Sequence, residues 1–102
     1  MSKNKLVGNF SADGNSSELD WGGRFVGHIS AYGTFGSGTV TLQYSLDAGA
    51  TWNAVDTTNL AFTADGNGNF ELPFCKLRIN LAGSTTPDID YVIDSVSAIS
   101  QK

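Results

Sequence analysis

One octapeptide restricts the fold of this chain more than any other segment. It runs Ser45-Leu46-Asp47-Ala48-Gly49-Ala50-Thr51-Trp52 and lies between an alternating segment and a short apolar one. The Asp47 carboxylate can accept hydrogen bonds from turn amides, and Gly49 can adopt the positive φ that a tight turn requires. Trp52 can fold back onto the turn as an apolar anchor. The octapeptide therefore predicts a self-locking β-hairpin with a structural role.

The same eight residues resemble the Asp-box, S-x-D-x-G-x-T-W, which recurs in sialidases and many other β-rich proteins. In those proteins the motif braces hairpins away from the active site. The resemblance implies an architectural role for five residues of this chain, namely Ser45, Asp47, Gly49, Thr51 and Trp52. A turn motif of this kind does not define an activity.

The rest of the chain has the pattern of an all-β protein. Turn signals recur about every ten residues, as is typical of a sandwich or barrel. Apolar and polar residues alternate over 39–45 and 76–82, which predicts strands with one buried face. Shorter predicted strands are 6–11, 17–21, 52–55, 60–64 and 70–74. At 102 residues the chain can form one core. We therefore predict a single-domain antiparallel β-sandwich, jelly-roll or immunoglobulin-like, over residues 6–102, preceded by an N-terminal arm over 1–5.

Two predicted strands, 24–32 and 89–99, carry apolar residues on both faces. In the first of them Ile29 and Tyr32 have opposite parity, and in the second a bulge is predicted at Asp94-Ser95. A small sandwich has one core, so something must cover the second face. The loop 83–88 and another copy of the chain are the alternatives, and we favour another copy, which predicts a homo-oligomer.

Charge and composition argue against two classes of partner. The formal net charge is −4, and the six Lys and Arg residues are scattered along the chain, so no basic stripe could neutralise a series of phosphates. No apolar run approaches the roughly 20 residues of a membrane span, and no export signal is evident. The lone Cys75 fits synthesis in a reducing cytoplasm. We expect neither nucleic-acid nor membrane binding.

Three segments with polar or charged residues have simpler structural interpretations. Residues 65–71 offer oxygen ligands at alternate positions, but Phe70 stands where a calcium loop needs glycine, and Asn67-Gly68 favours a hairpin turn. The carboxylates of Asp88, Asp90 and Asp94 could be arranged as general acid and base, although solvated carboxylates are favoured. His28, alone in mid-strand, is expected to be hydrogen-bonded or interfacial. We predict no enzyme activity, no metal, no cofactor and no small-molecule ligand.

Aromatic residues give two further expectations. Phe35 lies in the glycine-rich loop 33–38, where it either contacts a partner or folds back onto its own sheet. Trp21 and Trp52 with Tyr32 could form a platform for stacking sugars. Packing of both tryptophans in the core is the favoured alternative.

The chain also resembles a module of small tailed-bacteriophage virion proteins. The resemblance rests on the segment 33–45 that leads into the Asp-box-like turn, and on the segment 70–87, Phe-Glu-Leu-Pro-Phe-Cys-Lys-Leu-Arg-Ile-Asn-Leu-Ala-Gly-Ser-Thr-Thr-Pro. It extends over residues 33–93. Proteins of this type are β-sandwiches that decorate or cement capsids, often as trimers, or form tail adaptors and fibre elements.

The resemblance implies a non-enzymatic virion protein, made in the host cytoplasm, that stabilises the phage head by binding across neighbouring major capsid subunits. A trimer is the favoured oligomer. The alternative is a tail or fibre component with a receptor- or glycan-binding role. The residues expected to contact the partner are those of the N-terminal arm and one loop aromatic, namely Ser2, Lys3, Asn4, Lys5 and Phe35.

Overall fold

The described part of the chain consists of strands and turns. A computed structural model describes residues 5–22 and 26–97. Its ten strands are β1 (Leu6–Phe10), β2 (Gly14–Asn15), β3 (Leu19–Trp21), β4 (Val26–Thr34), β5 (Thr39–Ser45), β6 (Asn53–Ala54), β7 (Ala61–Phe62), β8 (Gly66–Glu71), β9 (Cys75–Ala82) and β10 (Asp88–Ser97). No helix long and apolar enough to cross a membrane occurs in these ranges.

The strands form two antiparallel sheets. The first sheet has the order β1-β10-β4-β8, and the second has the order β2-β9-β5-β6, with β3 also paired to β9 and β7 to β5. Tyr91 lies opposite Ala31 in the first sheet, and Leu42 lies opposite Ile79 in the second. The predicted single-domain antiparallel β-sandwich is confirmed.

Alternation of side chains places the core between the sheets. Ile29 and Ile93 of the first sheet and Leu42 and Ile79 of the second are fully buried. Trp21 is also fully buried and packs against Phe70 at 5.0 Å between ring centroids. The strand predicted over 39–45 is confirmed in full, and the one over 76–82 begins one residue earlier, at Cys75.

The prediction of a hairpin turn at Asn67-Gly68 is wrong, because both residues lie inside β8. The cause is close packing. A Cβ at Gly68 would lie 2.8 Å from Cδ2 of Leu60, and one at Gly66 would lie 2.8 Å from Cδ1 of Phe62. These glycines therefore let neighbouring side chains approach a strand, which is a second use of glycine in sheets. The strand predicted over 70–74 shifts accordingly and ends at Glu71.

The outer face of the first sheet is mixed, as the pattern of its two long strands predicts. Val7 and Tyr32 are exposed there, whereas Ile29 and Ala31 point into the core. The predicted bulge is confirmed close to its expected place, since the β4–β10 register shifts between Ser95 and Ser97. The homo-oligomer stays a prediction.

Candidate functional site

The Asp-box hairpin is locked by two side chains. The hydroxyl of Ser45 donates to Oδ1 of Asp47 at 2.7 Å and accepts the amide of Gly49 at 2.8 Å. The same carboxylate oxygen accepts the amide of Thr51 at 2.8 Å. The hydrogen bonds that Asp47 accepts from the Ser45 hydroxyl, which is the strongest cause, and from Thr51 lower the pKa of Asp47 below its ordinary value of 3.8. Ser45 is buried, yet its hydroxyl has all these partners, so its burial is compensated.

Two consecutive residues of this turn have positive φ. Gly49 has a φ of 97°, as the sequence predicts, and Ala48 has a φ of 63°, which the sequence does not indicate. A non-glycine residue in the left-handed region costs free energy. The hydrogen bonds of Ser45 and Asp47 on either side hold the alanine there. The predicted structural role of the five Asp-box residues agrees with this geometry.

Trp52 has a different position from the one predicted. It is half-buried and lies on the outer face of the second sheet, not in the core. Its indole Nε1 donates to the carbonyl oxygen of Gly49 at 3.0 Å. The guanidinium carbon of Arg78 lies 4.3 Å from the centre of the Trp52 ring, a cation–π contact. Arg78 also donates from Nε to Oε1 of Gln43 at 2.7 Å.

An open groove of about 490 Å³ lies along β9 from this stack, since Lys76 of its lining is two residues from Arg78 on the same face of the strand. Leu46 and Phe74 lie along it with exposed fractions of 65% and 74%. Ala48 and Cys75 complete its apolar lining. Burial raises the pKa of the Cys75 thiol, so this cysteine is not activated as a nucleophile. Two large exposed apolar side chains beside each other are a mark of a contact surface.

The polar side of the groove is an ion cluster. Lys76 Nζ lies 2.7 Å from Oδ1 of Asp20 and 3.9 Å from Oε1 of Glu18. The hydrogen bond and charge of Asp20 raise the pKa of Lys76. We call the surface formed by Leu46, Trp52, Phe74, Lys76 and Arg78 the Asp-box surface.

The sequence prediction that Phe35 contacts a partner is corrected by its burial, since it is 6% exposed and belongs to the core cluster. Its loop folds back because Gly38 donates its amide to the Phe35 carbonyl at 2.9 Å and Thr85 donates to the Gly36 carbonyl at 2.9 Å. Of the predicted arm residues, Lys5 lies 3.7 Å from the Asp94 carboxylate, and Ser2, Lys3 and Asn4 lie outside the described residues.

The alternative of a sugar-stacking platform, which the sequence does not favour, does not assemble. Trp21 is fully buried, Trp52 lies on the outer face of the second sheet, and Tyr32 lies on the outer face of the first. Stacking of a sugar requires aromatic rings that are open on the same face. The three rings therefore do not form one binding site.

The acidic residues of the first sheet are tied to polar neighbours. The amide of Asn9 donates to Asp88 at 3.0 Å and to Asp90 at 2.9 Å. His28 Nδ1 lies 2.6 Å from the Asn69 carboxamide oxygen, as expected of a hydrogen-bonded imidazole. In the described ranges no three His, Cys, Asp or Glu residues converge on a point where a metal could bind.

Sequence reasoning missed Leu46, Phe74 and Arg78. Leu46 occupies a variable position of the Asp-box. Phe74 follows Pro73, which interrupts the strand pattern, so alternation does not predict the direction of the Phe74 side chain. Arg78 alternates with buried leucine and isoleucine, and this alternation predicts only that it lies on the solvent face of its strand. Its contact with Trp52 joins residues 26 positions apart, which periodicity cannot detect.

Comparison of the chain with models of protein families, with curated proteins and with solved structures finds no match.

Proposed function

We propose that the protein is a non-enzymatic decoration, or cement, protein of a tailed-phage virion, which stabilises the head by binding across neighbouring major capsid subunits. The observation that supports this proposal best is the pair of exposed apolar side chains, Leu46 and Phe74, beside a hairpin locked by its own side chains. The resemblance of segments 33–45 and 70–87 to phage virion modules supplies the class of partner.

The mechanism is burial of surface. A rigid hairpin holds Leu46 in place, so little conformational entropy is lost when a partner covers it. Apolar and aromatic anchors of this kind carry most of the binding energy of an interface, with polar groups around them. Each copy needs a contact of about 1,000 Å² or less, because a symmetric lattice and a trimer multiply the binding.

The first test is the number of copies in the particle. Quantitative mass spectrometry of purified virions of the phage that encodes the chain gives its ratio to the major capsid protein. We expect hundreds of copies. A handful to a few dozen copies would assign the protein to the tail or fibres, and its absence would refute a virion role.

The second test addresses the surface. Particles stripped of the protein are incubated with purified wild type, Leu46→Ser, Phe74→Ser or Val7→Ser, and bound protein is measured after sedimentation. Val7 is the matched control, since it is 61% exposed but lies on the opposite sheet. We expect each of the first two variants to bind about 30-fold more weakly, as for interface hot spots. Equal loss with Val7→Ser, at an oligomeric state unchanged from the wild type, would contradict the assignment of the surface.

A further inference from the structure

We infer that Arg78, stacked on Trp52, is a binding site for the side-chain carboxylate of an Asp or Glu residue in the partner protein. The inference rests on the proposed function for the identity of that partner. The site adjoins the apolar groove, so the partner segment carries an acidic residue close to an apolar one.

The ion pairs of the chain support this inference. Lys5 is paired with Asp94, and Lys76 is paired with Asp20 and Glu18. Within the described ranges, Arg78 has no carboxylate within ion-pair distance, and the remaining segments contain no Asp or Glu at all. In a chain of net charge −4, Arg78 therefore differs from Lys5 and Lys76, each of which has an acidic side-chain partner.

The guanidinium is nevertheless held in place. Its carbon Cζ lies over the Trp52 ring, 4.3 Å from the ring centre, and Trp52 is itself fixed by the 3.0 Å bond from Nε1 to the Gly49 carbonyl. On the other side, Nε donates to Gln43 at 2.7 Å. The orienting groups are thus neutral, and neither of them supplies a carboxylate to pair with the guanidinium. A side chain ordered in this way loses little freedom when it binds a ligand.

The donors that remain match a carboxylate. Arginine has five N–H donors, and the bond to Gln43 uses one. The two terminal nitrogens have no partner among the described residues and are not sealed from solvent. They present the fork that binds a carboxylate through two parallel hydrogen bonds. Glu18 and Asp20 lie near this end of the sheet and would repel a doubly charged phosphate more than a carboxylate.

The groove fixes the distance to the apolar part of the ligand. Arg78 and Lys76 lie two residues apart on the same face of β9, which is roughly 7 Å. Lys76 lines the groove beside Leu46 and Phe74. In an extended partner segment, side chains two positions apart lie on the same face at the same spacing. An acidic residue two positions from a leucine or phenylalanine therefore spans both parts of the surface.

A peptide titration followed by NMR tests the site independently of any particle. The probes are acetyl-Glu-Leu-Phe-amide, the same peptide with Gln in place of Glu, and inorganic phosphate. We expect the Glu peptide to shift the Trp52 Nε1–H and Arg78 Nε–H resonances, whereas the buried Trp21 indole serves as the unshifted reference. The Gln peptide and phosphate should bind about tenfold more weakly or not at all. Equal shifts with the Glu and Gln peptides would overturn the inference.

Two variants separate charge from geometry. Arg78→Lys keeps the charge but loses the planar fork, and Arg78→Gln loses both, so affinity for the Glu peptide should fall in that order. An undiminished affinity of Arg78→Gln would refute the site.

In the particle assay, loss of binding by Phe74→Ser with full binding by Arg78→Gln would refute the carboxylate site and leave the proposed function standing. Failure of the wild type to bind particles would refute the proposed function, and the peptide titration would still decide the role of Arg78.

Discussion

The loop 33–38 and the Asp-box turn look alike in sequence and differ in the fate of their apolar side chains. Both connect strands, and both combine glycine with a large apolar residue, Phe35 in the loop and Leu46 in the turn. Phe35 of the loop is 6% exposed, whereas Leu46 of the Asp-box turn is 65% exposed. An apolar residue in a glycine-containing turn is therefore not in itself a sign of a contact surface.

The difference lies in how each turn is closed. The loop 33–38 depends on distant parts of the chain, since Thr85 donates to the Gly36 carbonyl and Asp65 accepts the Gly33 amide. The Asp-box turn is closed by bonds among residues 45–52. A turn that closes itself does not need its apolar side chain as an anchor. Leu46 is consequently free to face a partner, and Phe35 is not.

Replacement of Phe35 by alanine should have the largest effect on folding. Removing a buried phenylalanine leaves a cavity and costs about 3–5 kcal/mol of unfolding free energy. Urea unfolding followed by tryptophan fluorescence measures it. Leu46→Ala is the matched control and should change the unfolding free energy by less than about 0.5 kcal/mol. Similar losses in the two variants would contradict the contrast between the turns.

Replacement of Ser45 by alanine should have a smaller and more local effect. The buried hydroxyl accepts the Gly49 amide at 2.8 Å and the Asp47 amide at 3.3 Å, so both amides lose a partner. The expected cost is about 1–3 kcal/mol. Hydrogen exchange at the Gly49 amide should accelerate, while the amide of Thr85 should keep its protection.

Ser30→Ala is the control for this change. Ser30 lies on the outer face of β4, and its side chain makes no hydrogen bond within the described ranges. It should leave both amides unaffected. Unchanged exchange of Gly49 in Ser45→Ala would show that the turn does not depend on the serine hydroxyl.

The sequence was sufficient wherever a pattern repeats over neighbouring residues. Alternation over 39–45 locates β5 to the residue, and the Asp-box residues define their hairpin. The two-faced pattern of the long strands also agrees with a mixed outer face on the first sheet. These features follow from side-chain periodicity and local hydrogen bonding, and both can be recognised within one continuous segment of the sequence.

Features that depend on distant contacts could not be predicted in this way. Gly68 looks like a turn residue until Leu60 is seen packed against it. Phe35 looks exposed until the loop 83–87 is seen to hold its turn. The stack of Arg78 on Trp52 joins β9 to the Asp-box across the second sheet. The last of these contacts belongs to the candidate site, so that part of the site could not be predicted from any one segment.

Acid should weaken both turns, because each depends on an ionised carboxylate. Asp47 holds the Asp-box, and Asp13 accepts the amides of Gly83 and Ser84 and the Ser84 hydroxyl, next to the Thr85 contact of the loop. These hydrogen bonds, led by the Ser84 hydroxyl in the case of Asp13, hold the pKa of both residues below 3.8 in the folded protein. The stability that they contribute is present above the unfolded pKa near 3.8 and is lost as the pH falls through the lower folded pKa.

This predicted loss of stability in acid can be tested by measuring unfolding free energies between pH 6 and pH 2.5. The proteins compared are the wild type, Asp47→Asn and Asp13→Asn. Each variant should be less stable than the wild type at pH 6, and the difference should shrink below pH 4 as the wild-type carboxylate becomes protonated. Glu71→Gln removes an exposed charge without a turn hydrogen bond among the described residues and serves as the control. Because the Asp-box closes itself, Asp47→Asn should expose amides within 45–52 alone, whereas Asp13→Asn should also loosen the Gly36 contact and the packing of Phe35. If the two variants exposed amides over equally wide parts of the chain, the distinction would be refuted between a turn closed by its own residues and a turn closed by residues distant in sequence.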